Sequence, residues 1–232
     1  MTDRPSILVA GGAGFIGAQT CKALYRAGYL PVTLDNLSTG YGAAVRWGPF
    51  HPGDLRDREL VMQLVRQYDI KAAIHFAAYS LVGESVTNPS KYYDNNVGAA
   101  TLFASALIEA GVEALVFSST AAVYGVPSVS LIPETHPTVP INPYGASKLA
   151  FEGALRWLGE AHPFRWTALR YFNAAGADPD GEVGESHVPE THLIPLLCKA
   201  CLGSGKGLTV FGEVINLTGE SRRGHRRSDR NV

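Results

Sequence analysis

Ser6-Ile7-Leu8-Val9-Ala10-Gly11-Gly12-Ala13-Gly14-Phe15-Ile16-Gly17 is the stretch on which the fold turns. Residues 6–10 read as a buried strand, and a glycine-rich turn follows at once. A helical pattern then covers residues 16–27 and stops at Gly28. Gly11, Gly14 and Gly17 stand at G-x-x-G-x-x-G spacing. Without Cβ atoms, such a turn brings backbone N–H groups up to a pyrophosphate, which then lies on the positive end of the helix. Glycines alone would indicate no more than a tight turn. Strand, turn and helix in this order make them a dinucleotide-binding fingerprint.

Outward from this unit, short apolar runs alternate with amphipathic ones. Strands are expected at residues 31–34, 72–76, 114–118 and 166–171, and helices at 59–68, 97–110 and 144–159. Alternation of this kind requires crossover connections, so the fold class is α/β: a doubly wound, Rossmann-like parallel sheet with helices on both faces. Residues 125–143 hold five prolines and no periodicity and read as a functional loop; residues 173–190, rich in Gly, Asp and Pro, are a second.

Asp35 closes the second strand, 18 residues after Gly17. A carboxylate there accepts both adenosine-ribose hydroxyls and repels the 2′-phosphate of NADP, so NAD is the expected cofactor; the competing reading is a turn-capping Asp at the head of Asp35-Asn36. Asp54 either reaches the adenine amine or caps the helix that follows.

Composition narrows the classes. Of 232 residues 46% are apolar and 18% charged, as in an ordinary globular protein, and the net charge of −1 offers no basic face to nucleic acid. No apolar run approaches the roughly 18 residues of a membrane span, and no secretory leader precedes the first strand. Three cysteines, Cys21, Cys198 and Cys201, are too few for a disulfide framework, and a reducing cytoplasm is the expected compartment. Cys198 and Cys201 form a C-x-x-C pair without further ligands nearby. In the apolar helical stretch 193–202 they read as one buried face, and no metal site is expected.

Tyr144-Gly145-Ala146-Ser147-Lys148 sets Tyr and Lys four apart on one helix face. Alone the pair would read as surface residues; opening a helix after a long loop in a dinucleotide-binding chain, it reads as chemistry. A phenol of pKa about 10 needs roughly 4 kcal/mol of preferential phenolate stabilisation to titrate near 7. A lysine ammonium and an oxidised nicotinamide both act in that direction. Such a phenolate takes a proton from a sugar hydroxyl as hydride leaves the same carbon. Ser118-Ser119-Thr120, at the end of a strand, could hydrogen-bond the reacting oxygen.

Together these residues resemble the extended short-chain dehydrogenase/reductase family, in its nucleotide-sugar epimerase branch. The resemblance runs in order from about Ile7 to Gly212. It passes through Asp35-Asn36-Leu37-Ser38-Thr39-Gly40, Gly53-Asp54-Leu55, His75-Phe76-Ala77-Ala78, Asp94-Asn95-Asn96, Phe117-Ser118-Ser119-Thr120, Asn142-Pro143-Tyr144 and Leu169-Arg170-Tyr171-Phe172-Asn173. It implies Tyr144 as catalytic base, Lys148 as its partner on the nicotinamide ribose, and Thr120 at the sugar's reacting oxygen. NAD contacts are implied at Gly11, Gly14, Phe15, Ile16, Gly17, Asp35 to Gly40, Asp54 and Leu55. Phe76, Ala77, Ala78, Tyr79, Ser80 and Asn95 continue them, with Phe172 beside the nicotinamide. Asn173 is implied on the nucleotide sugar and His192 near its diphosphate.

The implied reaction is epimerisation at C4 through a 4-keto sugar with NAD bound throughout. It interconverts UDP-glucose and UDP-galactose in galactose metabolism, with the N-acetyl substrates also open. Related 4,6-dehydratases place an acidic pair after the Ser/Thr; here Ala121-Ala122 stand there and disfavour elimination. Other UDP-sugar epimerases and decarboxylases remain the alternative, and the resemblance also implies a homodimer built on the helices from Val97 and Tyr144. The expected domains are residues 1–172 for the dinucleotide, 173–212 as a partial substrate lobe, and an atypical tail at 213–232. The family pattern stops after Gly212, and residues 219–231 lack large apolar side chains and are expected to be disordered; their arginines could instead form an anion-binding arm. A truncated epimerase, or an inactive NAD-binding remnant, is the resulting expectation.

Overall fold

The computed structural model describes residues 4–187 and 190–203; the expectations for residues 204–232 lie outside the described residues. Two compact units divide the chain after Gly184. The first is built on a six-stranded sheet of order β3-β2-β1-β4-β5-β6, with every neighbouring pair parallel. The strands are β1 (Ser6–Ala10), β2 (Leu30–Asp35), β3 (Phe50–Pro52), β4 (Ala72–His75), β5 (Ala114–Ser118) and β6 (Arg165–Leu169). Strand order reverses at β1, so β1 and β4 diverge to opposite sides and open a crevice at their carboxyl ends. This is the expected doubly wound architecture.

The helices between the strands are α1 (Phe15–Arg26), α2 (Arg58–Tyr68), α3 (Val82–Thr87), α4 (Pro89–Tyr93), α5 (Ala100–Glu109) and α6 (Pro143–Ala161). Leu8, Leu34, Phe103, Leu107, Leu115, Phe117 and Phe151 are among the residues that form one core between sheet and helices. His75 is buried in it among the rings of Phe103, Phe117 and Phe151, 5.5 to 5.8 Å between centroids. Burial, with the Lys148 charge adding to it, pushes this imidazole down to about 3, so it is neutral.

Two departures from the expected elements have local causes. β3 is three residues long and ends on Pro52, too short to show a period and suited to a sheet edge. The helix expected from residue 97 begins earlier. Asn88 accepts the Lys91 N–H, Pro89 starts α4, and a π-helical stretch, Asp94–Ala99, runs directly into α5. Such stretches shift side-chain direction and often accompany function; this one carries Asn95 and Asn96.

In the second unit, α7 (Leu193–Cys201) forms as expected, but Cys198 and Cys201 are exposed rather than a buried face. Among the described residues that unit is one helix with a short irregular lead-in, and they offer the apolar helix no opposing element.

Candidate cofactor groove and active site

The glycine turn shows why its residues have no side chains. Gly11 has φ +81°, and a Cβ there would stand 2.5 Å from the Ala77 nitrogen. A Cβ on Gly17 would stand 2.1 Å from the Gly11 carbonyl oxygen, so α1 packs directly on the turn. Gly14 begins α1 with no side-chain cap, and the first turn holds no acidic residue. The leading N–H groups of the helix are thus left for an anion.

A groove opens at the carboxyl ends of β1, β2 and β4. Gly11, Gly14, Asp35, Asn36, Ser38, Thr39, Gly40, Asp54 and Leu55 line it, with Phe76, Ala77, Ala78, Tyr79 and Asn95. Leu34 also lines it, although the sequence marks it only as a strand residue. Phe15, Ile16, Gly17, Leu37, Ser80, Lys148 and Phe172 are not among its lining residues, and Phe172 is exposed. Asp35 is buried at the end of β2, where it accepts the Ala13 N–H at 3.0 Å and the Leu37 N–H at 2.8 Å. It therefore braces the glycine turn and also holds Leu37, whose φ is +56°. Asp54 does not cap α2; Asp57 does, accepting from Leu60 N. Asp54 instead accepts from Asn36 Nδ2 at 3.0 Å and Arg56 N at 2.9 Å, on the groove wall.

Asn96 joins this groove to α6. Its amide side chain accepts from Tyr79 N at 3.0 Å, donates to Tyr79 O at 2.9 Å, and lies 3.3 Å from Ser147 Oγ. On α6, Asn142 caps the helix by accepting from Gly145 N, and Pro143 sits in its first turn, which places Tyr144 at the head of the helix. Lys148, one turn on, is 2% exposed; its Nζ donates to Ser118 O at 2.9 Å and lies 6.0 Å from the Tyr144 ring centroid. Thr120 follows β5 with its hydroxyl at the Tyr144 phenol. The structure thus brings together Tyr144 and Lys148, the pair set by the helix spacing, and Thr120, which only the resemblance singled out.

The protein groups by themselves push both partners toward their neutral forms. Burial raises the Tyr144 phenol above its ordinary value, with Thr120 working against it. Burial also lowers Lys148 to about 7, with Glu152 working against it. Protein groups alone therefore do not make Tyr144 a phenolate, because the same desolvation that disfavours the phenolate weakens the ammonium meant to stabilise it.

Sequence reasoning missed the layer behind this pair. Glu152 is buried, accepts from Ser119 Oγ, and takes a bidentate grip from Arg170, whose Nη1 also donates to Tyr124 OH at 3.1 Å. The signal was present in the i+4 row Tyr144, Lys148, Glu152. A second unforeseen cluster is distant from it. Lys22 on α1 is buried with Nζ 2.6 Å from Asp178 and Asp180 and 2.9 Å from Glu182, which ties the irregular segment after β6 to the first helix. Asn173, at the start of that segment, is exposed. His192 lies in the second unit, where its Nδ1 is 2.6 Å from Glu185 Oε1 and 3.3 Å from Glu190 Oε1.

Comparison with known proteins agrees with this geometry. Residues 7–225 match the family described as "NAD dependent epimerase/dehydratase family", and the chain belongs to that family. The UDP-glucose 4-epimerase of Rhizobium meliloti is 49% identical over 207 residues, 89% of this chain and 63% of that protein. Among solved structures, UDP-glucose 4-epimerase from Brucella ovis in complex with NAD superposes with TM-score 0.84 at 50% identity, covering 86% of this chain and 61% of that one. The Bifidobacterium longum enzyme in complex with NAD+ and UDP gives TM-score 0.81 at 35% identity, covering 86% and 63%. This chain therefore spans a little over three-fifths of the length of these relatives.

Proposed function

We propose that this chain carries the cofactor-binding and catalytic part of a UDP-glucose 4-epimerase, which uses NAD to interconvert UDP-glucose and UDP-galactose at C4 of the sugar. The observation that carries the reading is Tyr144, Lys148 and Thr120 meeting at the carboxyl end of β5, linked through Asn96 to the groove wall at Tyr79.

The residues fit NAD. The uncapped start of α1, from Gly14 through Phe15, Ile16 and Gly17, suits the diphosphate. Asp35 suits the adenosine ribose and repels a 2′-phosphate. Asn36 to Gly40, Asp54 and Leu55 then surround the adenosine, while Phe76 to Ser80 and Asn95 border the remainder. Lys148 serves the nicotinamide ribose and Phe172 the nicotinamide. Bound NAD would supply reversible storage of a hydride, beside a positive charge.

That charge supports Lys148 in making a phenolate of Tyr144. Tyr144 then takes the proton from sugar O4 while Thr120 hydrogen-bonds the same oxygen, and it returns the proton once the 4-keto sugar has turned over. Ala121 and Ala122, directly after Thr120, supply no acid or base for elimination. Asn173 and His192 are assigned to the nucleotide sugar, with residues 1–172 as the cofactor domain and 173–212 as part of the substrate lobe. No helix among the described residues is long and apolar enough to cross a membrane. Free cysteines favour the reducing cytoplasm. A homodimer through α5 and α6 would cover Leu102 and Trp157, both exposed.

The test is to denature the purified chain and assay the extract for NAD, then to follow UDP-galactose conversion by the native protein. Bound NAD with turnover is the expected result. Absence of NAD, together with no binding of added NAD, refutes the reading; NAD without turnover establishes the remnant instead.

A further inference from the structure

Glu152 is a buried carboxylate that the proton transfer derived above does not use. It follows Lys148 by one helical turn and Tyr144 by two, so the three share a face of α6. Ser119 Oγ donates to one of its oxygens. Arg170 Nε donates to both, at 3.0 and 3.1 Å, and Nη2 donates to Oε2 at 2.5 Å. Ser119 stands between the two residues that touch the catalytic pair. Ser118 before it offers the carbonyl that receives Lys148 Nζ, and Thr120 after it carries the hydroxyl at Tyr144. Tyr171, next after Arg170, hydrogen-bonds Ser118 Oγ and accepts the Ala121 N–H at 2.9 Å.

We propose that Glu152 is a positioning residue of the active site: one buried carboxylate that clamps the chain beyond β5 and β6 onto α6 and so fixes Lys148 and Thr120 around Tyr144. The proposal rests on the reading of Tyr144 as the base.

The charges around Lys148 support it. From β4 it faces neutral His75; from β5, the Phe117 ring at 4.8 Å and the Ser118 carbonyl; from its own helix, Tyr144 and Glu152. Burial drives the ammonium toward neutrality, and Glu152 is the carboxylate that opposes this. Arg170 shares that carboxylate, so only part of its charge reaches Lys148, and the clamp's geometry carries the larger part. A strained or displaced Ser119 would move the Ser118 carbonyl and the Thr120 hydroxyl together, since both adjoin it in the chain.

The experiment titrates Tyr144 in the full chain with NAD bound, through the ultraviolet phenolate band, each protein being read against its own Tyr144→Phe partner. Glu152→Gln, which sets an amide NH2 against the Arg170 donors and so opens the clamp at unchanged volume, is expected to raise the Tyr144 pKa by roughly one unit, about tenfold less phenolate at a given pH. NAD affinity should stay within about threefold, close to 0.6 kcal/mol. A purely structural role would leave the phenol unmoved in the folded variant, or would lower NAD affinity as much as it shifts the phenol; either overturns the proposal. Where Glu152→Gln fails to fold by circular dichroism, Ser119→Ala decides. It cuts one arm but leaves the Arg170 pair, and an unmoved phenol there also overturns the proposal. A wild-type phenol at its ordinary value defeats the base reading and this proposal together, whereas a depressed wild-type value unchanged in Glu152→Gln defeats this proposal alone.

Discussion

Replacing Lys148 with methionine should make the nucleotide-free chain more stable at pH 7 while removing its chemistry. Lys148 is 2% exposed, and burial lowers its pKa from 10.5 to about 7, against the pull of Glu152. A lysine whose folded pKa lies below its unfolded one costs stability while the unfolded chain holds the extra proton. The cost is fully present below pH 7 and fades as pH climbs from 7 to 10.5, because the unfolded state binds more protons across that window. Integrated at pH 7, the gap between those two values costs about 4 kcal/mol. Methionine keeps the unbranched stem that fills the site but strands the Ser118 carbonyl, which loses its donor at about 1–3 kcal/mol. The net gain is about 2 kcal/mol, or about 4–8 °C in Tm for a domain of this size.

Urea or thermal unfolding of both proteins at pH 7 and pH 10 reads this directly. The variant should lead at pH 7, and its lead should vanish toward pH 10 as wild type recovers roughly 3–4 kcal/mol. Turnover, where the wild-type chain shows it, should fall by about 10²–10⁴, the usual contribution of acid–base catalysis. A variant less stable than wild type at pH 7, or a difference that does not move with pH, would mean that Lys148 is charged and well paired in the folded state. The reasoning would then be wrong at its first step.

Three further outcomes follow from other contacts. Asp35→Asn removes the charge that repels a 2′-phosphate, so the ratio of NAD to NADP affinity should fall at least about tenfold, ~1.4 kcal/mol; an unchanged ratio by titration calorimetry contradicts the assigned role. Gly17→Ala drives a methyl group to 2.1 Å from the Gly11 carbonyl oxygen, and should cost about 3 kcal/mol in denaturant unfolding along with NAD binding. Lys22→Met leaves Asp178 buried without the ammonium that holds its carboxyl at about 2, below the ordinary 3.8. That stabilisation is present above pH 3.8 and lost as pH falls through about 2, so the variant should be the weaker protein at pH 7 and match wild type near pH 2 in acid unfolding.

What the chain made legible was the part written in local rules. β1 and β5 fall on the residues their apolar runs mark, and α1, α2 and α6 within a residue or two of theirs, because buried parallel strands and amphipathic helices impose periods a reader can count. Of the fifteen groove-lining residues, Gly11, Gly14, Asp35 and Asp54 follow from the glycine turn and the strand ends, whereas ten more are implied only by the family resemblance and Leu34 by neither. The clamp at Glu152 follows from neither as well, although Glu152 sits in plain register with Lys148. Its partners Ser119 and Arg170 lie 33 and 18 residues away, and no local pattern announces a pairing that only the sheet order creates. The same holds for Lys22 and Asp178, 156 residues apart. Cys198 and Cys201 failed in the opposite sense: an apolar pattern marks a helix, but burial depends on what packs against it, and both thiols are exposed among the described residues.

The buried polar groups of the first unit explain why the chemistry collects where it does. Asp35 closes β2, Ser118 closes β5 with Thr120 two residues beyond, and Arg170 follows β6, all at the carboxyl edge of one parallel sheet. There the backbone leaves the ladder, so carbonyl and N–H groups stand free to meet side chains, and a buried lysine or aspartate can be satisfied without breaking a strand pairing. Asp35 uses the N–H groups of Ala13 and Leu37; Lys148 uses the carbonyl of Ser118. His75 closes β4 at the same edge, but its ring is buried among Phe103, Phe117 and Phe151: its Nδ1 has no hydrogen-bond partner among the described residues, and the ring stays neutral. A buried charge at this edge needs a partner where the backbone leaves the ladder, as Lys148 has in the Ser118 carbonyl. The effect of burial on that ammonium is opposed by one carboxylate, Glu152, one helical turn further along α6.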